Sequence, residues 1–286
     1  MSTPSTNSVS TPITPTANQT RRKRAYEPSR IHRILPWILF FVLWEVITRL
    51  NGYLEFTNPN YFPGPISISQ SAWALYQTGL IWESVVASTL RMLAGFSLGL
   101  VGAVLLGVLM NRYVLVETWV GPIITLTGAI PCLALLPLFI IWMGIGETPK
   151  IVMIAWATFL PILVYTLDGL RSVNANLIRS AMSLGASSKQ IFLRVVLPST
   201  IPNILVGANL SLGLAFSALV VSEMMGAKTG IGFIIVDARN FFKINNMFVA
   251  IILISLEFSL FAWLMKLLER KVISWREGGL RSSIER

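Results

Sequence analysis

The sequence predicts an all-α, polytopic membrane protein with six transmembrane helices. The chain is 54% hydrophobic and only 13% charged, whereas an ordinary soluble domain carries about 25% charged residues. Its mean hydropathy is +0.67. Six apolar stretches approach or exceed the ~20 residues needed to cross a hydrocarbon core.

Residues 1–30 precede them. They are rich in Ser, Thr and Pro with few large apolar side chains, so a disordered tail is expected. "RRKR" follows from Arg21 to Arg24. The first apolar stretch, 34–50, is short and carries aromatic anchors. It runs on into "WEVITRL" without a small-residue cleavage site, which reads as an uncleaved span. The second, 82–110, is long enough to tilt. Its Gly95, Gly99, Ala103 and Gly107 recur every four residues, on one helical face, and small residues let helix backbones approach. The third, 118–143, is broken by Pro131 and Pro137, and neighbouring helices must compensate. That break either lines a pathway or bends a helix. The fourth is 151–170. The fifth, 201–222, repeats the small-residue stripe at Gly207, Ser211 and Ala215. Packing within the chain is the preferred reading of both stripes, over a seam between subunits. The sixth is 247–268, and residues 276–286 form a second tail. The membrane-spanning body is thus expected over 31–275.

Basic residues orient such a chain, because Lys and Arg gather on the cytoplasmic side. With the N-terminus inside, the inner segments hold Arg21, Arg22, Lys23, Arg24, Arg30, Arg33, Arg112, Arg171, Arg179, Lys189 and Arg194. The C-terminal end adds Lys266, Arg270, Lys271, Arg276, Arg281 and Arg286. The outer side holds only Lys150, Lys228, Arg239 and Lys243. Both termini are therefore expected in the cytoplasm. The net charge of +10 belongs to those loops rather than to a nucleic-acid surface.

The first outer loop, 51–81, has no Lys or Arg. Pro65 is placed to start a helix, and Ile66, Ala72, Trp73, Tyr76 and Trp82 suit a helix at the membrane interface. An ordinary ordered loop accounts for them equally well. A second outer segment, 223–246, combines Gly226, Gly230 and Gly232 with "FIIVDARNF". It suits an outer gate or a docking face whose Lys228, Arg239 and Lys243 favour anions, or a plainly solvated surface.

Chemistry of the catalytic kind has little to work with. Cys132 is the single cysteine and His32 the single histidine. No disulfide framework, metal site or catalytic cluster is expected. "GVLMNRY" and "GAKTGIG" lack the spacing of a phosphate-binding loop. Arg91 and Glu257 are unusual: each lies about 15 Å from the outer end of its span, where an unpaired charge costs at least a few kcal/mol. Their similar depth suits an ion pair. Glu45 competes for Arg91, although Arg49 stands four residues after it. The alternative is an Arg that meets an anionic solute. Arg91, Glu257, Glu223 and Asn209 are the candidates for a translocation pathway.

One polar stretch interrupts the spans. "SAMSLGASSKQIFLRVVLP", residues 180–198, lies in the cytoplasm between spans four and five. Ala181, Met182 and Leu184 favour a short helix. Gly185 is a small site or a helix stop. A second helical piece runs from Ser188 to Pro198. Such a segment either transmits force or packs on its own bundle.

This stretch resembles the cytoplasmic loop motif of permease subunits in bacterial ATP-driven (ABC) importers: Glu-Ala-Ala, three residues, Gly, nine residues, then Ile-x-Leu-Pro. Gly185 matches the glycine, Ala181 the second alanine, and Leu197 and Pro198 the end. Val195 takes the isoleucine place, while Arg179 and Ser180 replace the Glu and first Ala. "YFPGP", "STLRMLAGFSLGLVGAVLLG", "IPCLALLPLFIIWMGIGETPKI", "FLPILVYTLDGL" and "GIGFIIVDARNF" are similar to the branch importing nitrate, alkanesulfonates, taurine or bicarbonate. "SLGASSKQIFLRVVLP" looks most like the sulfonate and taurine members. The chain departs at Gly128, where those members often carry Arg, which bears on the cargo.

The resemblance implies the fold of a type I ABC importer permease and a chain that is not an enzyme. It implies two ATPase subunits below, which bind ATP and Mg, and a periplasmic or lipid-anchored substrate-binding protein above. It also implies a second permease copy, forming a homodimer in the bacterial inner membrane among its lipids, with no nucleic acid. The loop 171–199 would hold the coupling helix, with Arg179, Ser180, Ala181, Met182, Ser183, Leu184, Gly185, Ala186 and Ser187 facing the ATPase. An ion-coupled secondary transporter is the rival from another class, but it usually shows internal repeats, and none is seen in the sequence.

Overall fold

The computed structural model describes residues 30–54, 56, 58 and 61–273, with the side chains of 30–34 left aside. The expected tails, with RRKR and the basic residues of 276–286, lie outside the described residues. Every regular element among the described residues is helical. By its contacts the chain divides after Trp44. The first unit is the start of α1 (Arg30–Leu54), where Phe40, Phe41 and Trp44 pack ring on ring.

The second unit runs from Glu45 and opens with α2 (Pro65–Gln77). The helix alternative for the first outer loop is the one found, with Pro65 in its first turn. Its N-cap, Gly64, has no side chain to offer, so a carboxylate from the second half of α1 serves instead. Glu45 accepts the Ile66 N–H at Oε2, 3.3 Å, while its Oε1 pairs with Arg49 at 2.9 Å. A Cβ on Gly64 would lie 2.6 Å from that Oε2. The glycine of YFPGP therefore lets an anion reach a helix N-terminus.

The bundle core consists of α3 (Leu80–Arg112), α6 (Glu147–Arg171) and α9 (Leu197–Met224). α6 packs along its length on both others. The glycines fix the register. Gly95 abuts Ile151 and Ile154, Gly99 abuts Ala155 and Thr158, and Gly107 abuts Leu163 and Thr166. The offset is nearly constant, so α3 and α6 run parallel. Gly207 abuts Ile162 and Tyr165, and Gly169 abuts Thr200 and Asn203, so α9 runs antiparallel to α6. Both small-residue stripes are thus seams within the chain, as the preferred reading held. Met92, Ile154, Leu212 and Leu219 fill one part of the core, and Ile162, Leu163 and Ala208 another.

Among the described residues five helices are long and apolar enough to cross a membrane, and a bent pair makes a sixth if counted as one span. That pair is α4 (Val114–Gly128) and a short 3-10 turn (Cys132–Leu135) leading into α5 (Leu136–Met143). They meet at 95°. The break falls at residues 129–131. Pro131 precedes the turn, but Pro137 sits in the first turn of α5, where its missing N–H costs nothing. Of the two expected breaks, only the first is one. α7 (Ala175–Ser183) and α8 (Ser188–Ile191) connect α6 to α9, and α10 (Ile231–Asn240) precedes α11 (Ile244–Val272).

Candidate functional site

The polar segment between α6 and α9 is a pair of capped helices around one glycine. Asn174 starts α7 by accepting the Asn176 N–H at 2.9 Å. The helix therefore begins earlier than Ala181, and Asn174 is the capping signal that marks it. It ends in a left-handed turn: Gly185 has φ 77°, the Gly185 N–H bonds to the Met182 carbonyl at 2.9 Å, and the Ala186 N–H to that of Ala181 at 3.1 Å. That is a Schellman closure, which glycine makes without a Cβ penalty. Ser187 then opens α8 with a reciprocal capping box, its N–H donating to Gln190 Oε1 at 2.8 Å and its Oγ accepting the Gln190 N–H.

Five residues in π geometry (Phe192–Val196) carry α8 into α9. Leu197 donates to the Phe192 carbonyl, five residues back. Pro198 follows with no N–H to give, so the widened turn spares the steric conflict proline would cause in a regular helix. The result is a defined helix–turn–helix with an apolar tip, Leu184 being 88% and Met182 59% exposed. Arg179, at the position of the motif's Glu, donates to Asn176 Oδ1 at 3.1 Å.

A second cluster gathers at the opposite ends of α6 and α9. Arg91 is buried and donates through Nη2 to Glu147 Oε1 at 2.9 Å, through Nη1 to Glu223 Oε1 at 2.7 Å, and through Nη1 to the Thr229 carbonyl at 2.7 Å. Lys150 reaches Glu147 at 2.9 Å. The Ser88 hydroxyl donates to Glu223 Oε1 at 2.7 Å, and the Gly232 N–H to Glu223 Oε2 at 2.9 Å. Two cations thus balance two carboxylates, with hydrogen bonds completing the shell, the condition under which buried charges are tolerated. The parallel register sets Arg91 level with the first turn of α6. Its depth along α3 places it at the mouth of the other two helices, and Glu147 enjoys the positive end of α6.

Arg91 and Glu257 do not pair. Glu257, on α11, accepts from Thr89 Oγ1 at 2.8 Å, and its Oε2 is buried without a partner. Glu45 is also not Arg91's partner, since it is taken up by α2 and Arg49. The sequence reading missed Glu147, Lys150, Ser88 and Thr229. The Glu-Thr-Pro-Lys spacing at the start of α6 was the available signal for the first two. The "GAKTG" loop is a turn that closes on Arg91 through Thr229. Gly226 and Gly230 have φ 127° and 129°, and a Cβ on Gly230 would meet the Glu223 carboxyl at 2.5 Å. Asn209 lies mid-length on α9, half-buried, and among the described residues its side chain has no hydrogen-bond partner. Among the described residues no three His, Cys, Asp or Glu side chains converge as a metal would require.

Comparison with known proteins adds to this geometry. Residues 95–274 match the family described as binding-protein-dependent transport system inner membrane component. The chain is 35% identical over 243 residues to a protein assigned as the aliphatic sulfonates transport permease SsuC of Bacillus subtilis (strain 168), covering 85% of this chain and 86% of that one. It is 32% identical over 243 residues to the taurine transport system permease protein TauC of Escherichia coli (strain K12), covering 83% and 86%. The fold is shared with a solved inward-facing MetNI methionine ABC transporter chain at TM-score 0.55 and 22% identity, over 71% of this chain and 98% of that one.

Proposed function

The chain belongs to the family of binding-protein-dependent transport system inner membrane components, and from that membership we propose that it forms the translocation pathway of an ATP-driven importer for a small anionic solute, an aliphatic sulfonate or taurine. The observation that carries the coupling is the lever around Gly185. Both its helices are capped and its apolar tip, Leu184, is exposed, as a part that docks into a separate motor must be. The residues from Arg179 to Ser187 meet the ATPase subunit. ATP and Mg stay with that partner, and this chain is not an enzyme.

A second copy of the chain completes the pathway as a homodimer, and a binding protein delivers the solute from the periplasmic side. Both termini lie in the cytoplasm. Supporting this, Arg112 and Arg171 end α3 and α6 at the end where Arg179, Lys189 and Arg194 follow, and cations gather on the inner side. The sulfonate and taurine names of the relatives support the cargo.

Of the four pathway candidates, we assign Asn209 to the solute. It is a half-buried amide in an apolar helix, and among the described residues its hydrogen-bonding groups are unspent. Arg91 is committed to Glu223 and Glu147, and this cluster ties α3 to the outer ends of α6 and α9. Glu257, a carboxylate on α11, is a poor contact for an anion.

The test is uptake by proteoliposomes holding this chain, its ATPase and its binding protein, with radiolabelled taurine and an alkanesulfonate against nitrate and bicarbonate. ATP-dependent uptake of the sulfonates is expected. Uptake driven by an ion gradient alone, with no ATPase present, contradicts the proposal. A vitamin-precursor cargo is the second reading. The chain is also 31% identical to the riboflavin transport system permease protein RibX of Chloroflexus aurantiacus over 264 residues. Titrating the binding protein with riboflavin and with taurine separates the two.

A further inference from the structure

A groove of about 370 Å³ lies where the C-terminal end of α3 meets α8. α3 supplies Val108, Leu109 and Arg112, and the other wall brings Ser188, Lys189 and Phe192. Among the described residues no carboxylate lines it. Arg112 and Lys189 are exposed and make no ion pair among the described residues. Glu117, the acid nearest to Arg112 along the chain, is held by Arg171. Among the described residues two cations are therefore left without counter-charge at the mouth of an apolar cleft.

The surroundings say which anion would fit. Leu98, Val101, Leu105 and Leu109 are exposed along one face of α3, at the three- and four-residue spacing of a continuous strip. That strip ends at the groove. From the Arg91 cluster to Arg112, α3 rises about 30 Å, one hydrocarbon thickness. The groove thus lies at the headgroup level of the opposite membrane surface, where Tyr113, which also lines it, is at home. An apolar strip in the hydrocarbon leading to paired cations at its edge matches one molecule with an acyl chain and an anionic head.

We infer that this groove binds an anionic phospholipid, with Arg112 and Lys189 on its phosphate and the lower part of α3 against an acyl chain. The site depends on the membrane placement of the chain and not on its cargo, so its failure would leave the transport reading intact.

The test uses the purified full-length chain and native mass spectrometry after reconstitution with phosphatidylglycerol or phosphatidylcholine. The wild type is expected to retain phosphatidylglycerol preferentially. The double variant Arg112→Gln/Lys189→Gln should lose that retention by about tenfold or more, and Val108→Trp, which fills the cleft, should lose it too. Lys228→Gln/Arg239→Gln, matched in charge, should not. As a second measurement, phosphatidylglycerol should raise the unfolding temperature of the wild type and not of the double variant, while glycerol phosphate alone does neither. Equal retention by the double variant overturns the site, as does equal loss in the charge-matched control. Equal protection by glycerol phosphate would make it a free-anion site. Unchanged lipid retention with lost ATPase assembly would make it a protein contact. Either result refutes the lipid assignment.

Discussion

Arg91 and Glu223 meet between α3 and α9 with Nη1 and Oε1 2.7 Å apart, and only 5% and 1% of the two residues is exposed. Around them Glu147, Ser88, Thr229 and Gly232 complete the bonding. The arrangement ties three spans and the loop before α10 to a single guanidinium.

Breaking one side of this pair leaves a buried charge without its partner, which costs about 3–5 kcal/mol. Arg91→Gln and Glu223→Gln should each lower the thermal midpoint of the purified chain sharply. The double variant should fall by less than the sum of the two, because neither orphan charge remains. Strict additivity would mean that the two groups do not interact. Exchanging Arg91 and Glu257 for each other's residue should give no recovery, since the structure does not bring them together.

Gly99 predicts a packing limit. A Cβ there would stand 2.6 Å from the Ala155 carbonyl and closer still to the Thr158 hydroxyl. Gly99→Ala must force α3 from α6, and overpacking of this kind typically costs about 1–3 kcal/mol. Gly121→Ala, with nothing within 4 Å, is the comparison. Thermal unfolding in detergent should separate the two, and equal stability would refute the close seam.

At Gly185 the expectations divide. Its φ of 77° penalises any side chain, yet nothing lies within 4 Å of a Cβ there. The left-handed conformation costs roughly 1–2 kcal/mol for an ordinary residue, which a local turn can absorb. Gly185→Trp should therefore fold and insert but present a bulky tip to the ATPase. Uptake in proteoliposomes should be lost while thermal stability of the isolated chain changes little. Normal ATP-driven uptake by this variant would remove the lever from the mechanism.

Glu45 and Gly64 concern the other surface. Gly64→Ala should push the carboxylate from the N-terminus of α2, and Glu45→Gln should remove its charge. A carboxylate at a helix N-terminus contributes typically 0.3–1 kcal/mol. Both variants should speed amide exchange at Ile66 and along the first turn of α2, with the remaining helices unaffected. Unchanged exchange would show that the cap contributes nothing.

The spans were legible because lipid rewards a long apolar helix whatever surrounds it, so α3, α6 and α11 fall where hydropathy alone puts them. The helical pair around Gly185 was legible for a different reason. Gly185, Ser187 and Pro198 act on their own backbone, and local signals need no distant partner. The start of α7 was misplaced only because Asn174 lies outside the apolar pattern. Arg91 stands out as anomalous in the sequence, but its partners are not legible there. Distance from the end of its own helix says nothing about where Glu147 and Glu223 sit on two others.

Composition, hydropathy and the turn chemistry around Gly185 are enough to give a membrane bundle with a polar pair of short helices between two spans, since each depends on residues close together in the chain. The tertiary structure alone decided that α3 and α6 run parallel at glycine distance, that Arg91 answers to Glu147 and Glu223, and that Glu45 caps α2. Those contacts depend on helix register, and register is settled by which side chains fit against each other across the bundle.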